Sequence, residues 1–178
     1  PDGYLGPTTC GVFYVLMFPI WAIASKVVKK TLKAKQVPIL AIGAAFSFVI
    51  MMFNIPIPGG STGHAVGGVL VAILLGPAAA CIAITVALVI QTLLFGDGGI
   101  TALGANCFNL AFALPFAGYY IYQAISYKTP LDSKRRVIAA GIAGYLALNI
   151  AAALTGFEFG IQPWLHKTVS GQALYCPY

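Results

Sequence analysis

Long apolar runs separated by short polar or glycine-rich segments dominate the pattern of this chain. The runs cover roughly residues 8–25, 39–53, 64–75, 78–95, 101–127 and 137–155. A helix needs about 20 apolar residues to cross the hydrocarbon core of a bilayer, so this pattern predicts about six membrane helices. We therefore predict an all-α, polytopic transmembrane helix bundle that forms a single domain over residues 1–178.

The segment 54–63, Asn-Ile-Pro-Ile-Pro-Gly-Gly-Ser-Thr-Gly, interrupts this pattern. It contains too many Pro and Gly residues to be helical, and its start is too apolar for an ordinary solvated loop. We interpret it as a re-entrant loop at membrane depth, which is tolerated where protein or a polar cavity covers the backbone. A short helix should follow from His64, and Pro115 should kink the run 101–127.

The composition excludes a soluble protein. Apolar residues make up 60% of the chain, charged residues make up 8%, and the mean hydropathy is +0.90. A soluble domain carries about 25% charged residues. A chain of this length with so few charges could not cover itself with a solvated surface, so its solvent is hydrocarbon.

The net charge of +6 is concentrated in two clusters between apolar runs. Cytoplasmic loops carry an excess of Lys and Arg, and alternation of six spans places both clusters on the same, inner side. The start of the chain, residues 54–63 and 96–100, and the tail then lie outside. Nucleic-acid binding is excluded, because the charges are not interleaved with aromatic groups on a folded surface. The clusters are Lys26, Lys29, Lys30, Lys33 and Lys35, and then Lys128, Lys134, Arg135 and Arg136.

His64 is the most informative candidate for chemistry, because it follows the Gly-rich segment at membrane depth. An ionisable group there is a functional candidate, and imidazole is the commonest metal ligand. The alternative is a histidine satisfied by neighbouring hydrogen bonds, and one histidine cannot form a metal site alone. We interpret His166, beside Trp164 in the tail, as an interfacial residue.

Three amides inside apolar runs should face the bundle interior, since unpaired amides are costly in hydrocarbon. Gln91, Asn106 and Asn109 lie at about the depth of His64. They either brace the structure or support a site at His64 through hydrogen bonds. Ser61 and Thr62 join them as supporting candidates.

These residues do not form a pattern that is typical of an enzyme active site. The Gly-rich segment lacks the lysine of a phosphate-binding loop, and Ser61 with His64 lacks a third group to orient a serine nucleophile. We also predict that no carboxylate lies in any span, which argues against a proton relay. A small-residue stripe, Gly68, Ala72 and Gly76, indicates close helix packing, although Gly and Ala are common in membrane helices generally.

Three blocks together resemble a known family: the membrane substrate-binding components of nickel/cobalt transporters of the energy-coupling-factor type (NikM and CbiM type). The blocks span nearly the whole chain, and their joint order is specific. They are Pro-Asp-Gly-Tyr-Leu at 1–5 with Pro-Thr at 7–8, the segment 58–68 around Gly-Gly-Ser-Thr-Gly-His with Leu-Gly-Pro at 75–77, and Gln91 followed by Phe-Gly-Asp-Gly-Gly within 95–106.

The resemblance implies a metal held by a nearly planar square of nitrogen atoms. The chain start supplies its terminal amine, a backbone amide and a second-position histidine, and His64 supplies the fourth nitrogen. Such a site suits Ni(II), with Co(II) as the alternative. The resemblance further implies a transmembrane coupling subunit and cytoplasmic ATPases as partners in a prokaryotic cell membrane.

This sequence departs from the family at its ends. The family begins Met-His-Ile just before the segment matching Pro1, and it continues past residue 178 into another span. We expect both the tripeptide and a seventh helix in the full protein. Gly63 before His64 resembles the nickel members. Two alternatives stay open: a structural membrane subunit, and a capture component for another small ligand such as a vitamin.

Overall fold

The computed structural model of the protein describes residues 3–57, 61–167 and 174–175. These residues form a bundle of helices joined by short turns. Because α5 continues into α6 through a π-helical segment, the described residues contain six helical segments, and the predicted all-α bundle is confirmed. The helices are α1 Pro7–Thr31, α2 Val37–Met51, α3 Gly68–Leu75, α4 Pro77–Phe95, α5 Leu103–Asn106, α6 Leu114–Ile125 and α7 Lys134–Leu165.

Four helical stretches of the described chain are long and apolar enough to cross a bilayer. Their outer surfaces carry large apolar side chains, such as Phe18 and Val137, which are about three-quarters exposed. Contact of such an apolar surface with hydrocarbon costs no free energy, whereas its exposure to water is unfavourable. The stretches are Pro7–Thr31, Ala34–Met51, Pro77–Phe95 and Lys134–Leu165, and the second joins the 3₁₀ turn Ala34–Gln36 to α2.

The helix between residues 103 and 125 is interrupted close to the predicted kink. Its π-helical segment, Cys107–Ala113, lies directly before Pro115, and the Leu114 amide donates to the Asn109 carbonyl five residues back. A wider turn absorbs the mismatch that a proline imposes on the α-helical hydrogen-bond ladder. The interruption also turns the Asn109 side chain into the interior, where it is buried.

The prediction that α3 begins at His64 is wrong, because the helix begins at Gly68. Gly67 adopts a left-handed φ of +74° at the residue before it, a conformation that glycine adopts without strain. At the other end Gly76, with φ +90°, turns the chain back so that Pro77 opens α4. The segment 64–67 is therefore an irregular connection and not a helical turn.

The described residues of the segment 54–63 are non-helical, as predicted, and they also form two paired strands. Strand β1, Ile55–Ile57, runs antiparallel to β2, Ser61–Gly63, with Ile55 opposite Gly63. The residues between the strands lie outside the described part of the chain. The re-entrant depth of this loop stays a prediction, as does the seventh helix.

The small-residue stripe is used in two different ways. Gly68 leaves room for Ile84 and Leu114, whose side chains would lie 3.3 and 3.1 Å from an added Cβ. Ala72 is fully buried. These two residues pack inside the bundle, whereas Gly76 has open space around it and serves the turn.

The last span continues further than predicted. The apolar run ends near Thr155, but α7 extends to Leu165 and carries Glu158 on a buried face. The prediction that no carboxylate lies in a span is therefore wrong. Gly156, Gly160 and Pro163 weaken the helical pattern locally, and packing against the rest of the bundle overrides that weakness.

The loop between α6 and α7 is held by Arg136. Its guanidinium donates to the carbonyls of Thr129, at 2.9 and 3.0 Å, and of Pro130, at 3.0 Å, and to the buried Tyr122 hydroxyl at 3.0 Å. Planar guanidinium groups are suited to several simultaneous hydrogen bonds. Arg136 thus ties the start of α7 to the end of α6.

Candidate functional site

His64 lies just after β2 in the irregular connection that leads to α3. Its ring is half-buried, and its Nδ1 lies 3.3 Å from the Ala65 carbonyl. The following Val66 is buried and belongs to the main apolar core. The neighbouring backbone thus anchors His64 to the bundle while its ring stays partly accessible.

The connection after His64 packs against α2. A Cβ at Gly67 would lie 2.9 Å from the Ser47 Oγ and 3.1 Å from the Phe46 ring, so this position has no room for a larger residue. Ser47 itself is fully buried, and its hydroxyl has no hydrogen-bond partner among the described residues. Sequence reasoning missed Ser47, since one serine in an apolar run carries no pattern.

The three amides differ in role. Asn106 donates from Nδ2 to the Gly98 carbonyl at 3.1 Å and braces the turn after α4. Asn109 is buried and donates to the Thr155 Oγ1 at 3.1 Å, while its Oδ1 has no partner within the described chain. Gln91 is also buried, and its Nε2 has no partner there either. The interior location predicted for Gln91 and Asn109 is confirmed.

Ser61 and Thr62 lie in the hairpin before His64. Ser61 pairs with Ile57, and Thr62 pairs with Pro56 across the strands. The Thr62 side chain is exposed. Their support of a site at His64 stays a prediction.

One face of α7 carries a set of polar side chains that sequence reasoning missed. These residues, spaced three and four apart and so on one side of the helix, are Thr155, Glu158, Gln162 and His166, which closes it. We call them the outer ridge, because the charge rule predicts that this end of α7 lies on the outer side. Glu158 is 3% exposed and Gln162 is fully buried. The spacing would have revealed this ridge if the helix had been extended through Gly156 and Gly160.

The outer ridge holds the N-terminal segment in place. Gln162 Oε1 accepts from the Gly6 amide at 2.9 Å and from the Thr9 hydroxyl at 3.3 Å, and its Nε2 donates to the Glu158 carbonyl at 2.7 Å. Buried amides that make such sets of hydrogen bonds fix the relative position of two segments. Residues 6–9 are therefore clasped against the outer part of α7.

The sequence suggested that His166 is an interfacial residue, but its side chain also packs against other parts of the protein. Its ring is half-buried, stacks edge-on with Tyr175 at 5.2 Å, and fills the space over Gly6, where an added Cβ would collide with it. The buried Nε2 has no partner among the described residues. Trp164, by contrast, is 82% exposed, as is common for a tryptophan at a membrane interface.

No group of three or more His, Cys, Asp or Glu side chains that could hold a metal ion occurs in the part of the chain that the structure describes. His64 is the one predicted ligand within these residues. The nitrogen ligands that the resemblance assigns to the chain start lie outside them.

Comparison with known proteins decides the family. Residues 1–176 match the family described as "Cobalt uptake substrate-specific transmembrane region". The chain belongs to this cobalt-uptake family. Membership makes the protein a membrane component of a metal-uptake system and not an enzyme.

Individual members of the family are close to this chain. It is 50% identical to the putative metal transport protein MJ1569 of Methanocaldococcus jannaschii, covering all of this chain and 75% of that protein. It is 49% identical to the fused nickel transport protein NikMN of Rhodobacter capsulatus, again over the full chain but only 51% of the relative. The chain thus spans about half of the fused relative.

A solved structure confirms the fold. The protein described as a truncated transition metal transporter superimposes with a TM-score of 0.93 at 52% identity, covering all of this chain and 81% of that one. At this identity the helix order and the connections are shared.

Proposed function

We propose that the protein captures Ni(II), with Co(II) as the second choice, from the outer side of a prokaryotic cell membrane for uptake. Family membership carries this proposal. The preference for nickel is supported by identity: the relatives named for nickel in Lactiplantibacillus plantarum and Rhodobacter capsulatus are 50% and 49% identical. The cobalt transport protein CbiM of Thermosipho melanesiensis is 35% identical.

We assign metal binding to His64 together with nitrogen atoms of a Met-His-Ile segment before Pro1. A half-buried imidazole on a connection anchored by buried neighbours suits a ligand that must keep its orientation. Planar nitrogen coordination selects Ni(II) by geometry. The neutral form of the imidazole binds the metal, so capture requires that form.

The lengths of α3 and α4 support a position of this site at membrane depth. The eight residues of α3 rise about 12 Å, whereas the 19 of α4 rise about 28 Å. Gly68 packs against Ile84, seven residues into α4, which puts the start of α3 near the middle of the bundle. This supports our proposal that the preceding residues 64–67 belong to a re-entrant loop at membrane depth.

Orientation and energy come from other features. We assign the N-terminus and the site to the outer side, and the two basic clusters support this assignment through the charge rule. We assign the energy for transport to a transmembrane coupling subunit and cytoplasmic ATPases, as the family resemblance implies. The surrounding lipid covers the apolar outer faces of α1, α2 and α7.

Titration of the full-length protein in detergent with Ni(II) tests this function. We expect stoichiometric uptake and a visible d–d absorption band of planar nickel when Met-His-Ile precedes Pro1. His64→Ala should abolish the band, because it removes one of the four nitrogens. His166→Ala is the matched control and should keep it.

Two results would contradict the proposal. Absence of stoichiometric uptake by the full-length protein with its intact start would exclude nickel capture and favour a structural subunit or a different small ligand. An unchanged band in His64→Ala would remove this residue from the site.

A further inference from the structure

The outer ridge and the neighbouring Asn109 carry several unpaired polar atoms. Glu158 Oε1, Asn109 Oδ1 and His166 Nε2 are all buried, and none has a hydrogen-bond partner among the described residues. Leaving a buried polar atom unpaired is costly in free energy. Ionisable groups inside membrane bundles are candidates for functional positions, ion pathways among them.

Glu158 and Asn109 form one oxygen-lined position. Asn109 donates to Thr155, one turn before Glu158 on α7, and its side chain also lies beside the Glu158 carboxyl. Glu158 and Asn109 are both at least 97% buried. Carboxylate and amide oxygens are the ligands that hydrated divalent cations accept while they keep part of their water.

The order of residues along α7 sets this position between the outside and His64. Gly144 and Leu148 line a groove of about 420 Å³ together with the connection 65–67 that follows His64. Glu158 follows Leu148 by ten residues on α7, which places it about 15 Å further toward the C-terminal end of the helix. Gln162 and His166, with residues 6–9 clasped over them, come last.

We propose that Glu158 and Asn109 form a waiting position for a hydrated divalent cation on its way from the outer mouth at His166 to the nitrogen site at His64. This inference rests on the proposed function and adds a second, distinct site to it. The carboxylate attracts the cation and raises its local concentration. The nitrogen ligands then take the cation over and complete its dehydration.

Two separate positions for the cation predict an effect of Glu158 on the association rate. A charge along an entry path changes the association rate, whereas the planar site alone sets the position of the nickel absorption band. Loss of the Glu158 charge should therefore slow capture and leave the final complex unchanged. A purely structural Glu158 would affect neither quantity.

Stopped-flow measurement of the nickel band in the full-length protein separates these cases. Glu158→Gln keeps the shape of the side chain and removes its charge, and we expect association about tenfold slower with the same band and stoichiometry. Glu158→Asp should retain most of the rate. Asp97→Asn, which removes an exposed charge on the same side, is the matched control and should match wild type.

Competition by Mg(II) provides a test on the unmodified protein. Mg(II) prefers oxygen ligands and should slow Ni(II) association in wild type beyond a sodium salt of equal ionic strength. The Glu158→Gln rate should not respond to Mg(II).

The outcomes divide clearly. Equal association rates for wild type and Glu158→Gln, or a wild-type rate that Mg(II) leaves unchanged, would overturn the waiting position while the nickel band stays. Absence of the band in wild type would instead contradict the proposed function itself. If Glu158→Gln fails to fold, the Mg(II) result on wild type decides.

Discussion

The two halves of α7 present opposite chemistry along one continuous ridge. In its inner half every fourth residue is a buried alanine, and we call Ala139, Ala143, Ala147 and Ala151 the inner ridge. The row continues into the outer ridge, where the buried side chains are polar. The inner ridge belongs to the main apolar core together with residues of α6, whereas the outer ridge contacts the N-terminal segment and the π-helical segment.

The difference separates packing from ligand chemistry within a single helix. Alanines let the backbones of α6 and α7 approach closely, which is how helices associate in lipid. The outer ridge carries larger polar side chains in place of alanines, and some of their polar atoms have no hydrogen-bond partner among the described residues. Stability should therefore depend on the inner ridge, and cation handling on the outer one.

Enlarging the inner ridge should have the largest effect on stability. Ala143→Leu adds three carbons at a position with no exposed surface, and such overpacking costs about 1–3 kcal/mol or more. Thermal unfolding in detergent measures it. Ala153→Leu, on the exposed side of the same helix, should be neutral; equal effects from both changes would show that the ridge is not tightly packed.

A change at the clasp should have an intermediate effect. Gln162→Leu leaves the Gly6 amide without its acceptor, which should destabilise the protein by about 1–3 kcal/mol and expose residues 3–9 to proteolysis. Gln123→Leu, at an exposed position of α6, serves as the control. Unchanged proteolysis of the N-terminal segment would mean that other contacts hold it.

The smallest effect on stability should come from the acid, with the opposite sign. Glu158→Met removes a buried carboxyl with an unpaired oxygen, so the free energy of unfolding should stay the same or rise by about 1–2 kcal/mol. The same unfolding assay measures it. A loss of more than about 1 kcal/mol, the typical contribution of one hydrogen bond, would make Glu158 a structural brace and remove the contrast between the ridges.

Most of the fold was predictable from the apolar runs. Their lengths gave the six helical segments, and the Gly and Pro residues gave the breaks near 54–63 and at Gly76. The start of α3 was not predictable, because the left-handed Gly67 depends on packing against Ser47 and Phe46. The pairing of β1 with β2 was likewise not predictable from composition alone.

The candidate site was predicted less completely. His64 and the buried amides Gln91 and Asn109 stood out because polar residues are rare inside apolar runs. Glu158 and Gln162 were left outside the predicted spans, because the last apolar run ends near Thr155. Tertiary packing overrides local preferences, and it can extend a helix several residues beyond the end that the sequence predicts.

Arg136 serves at two different times in the life of the chain. By the charge rule, we expect its charge and those of its neighbours to retain the loop 128–136 on the inner side of the membrane during insertion. After folding, its guanidinium is occupied by carbonyls and the Tyr122 hydroxyl. One side chain is thus expected to act in membrane insertion through its charge, and it ties α6 to α7 in the folded protein through its hydrogen bonds.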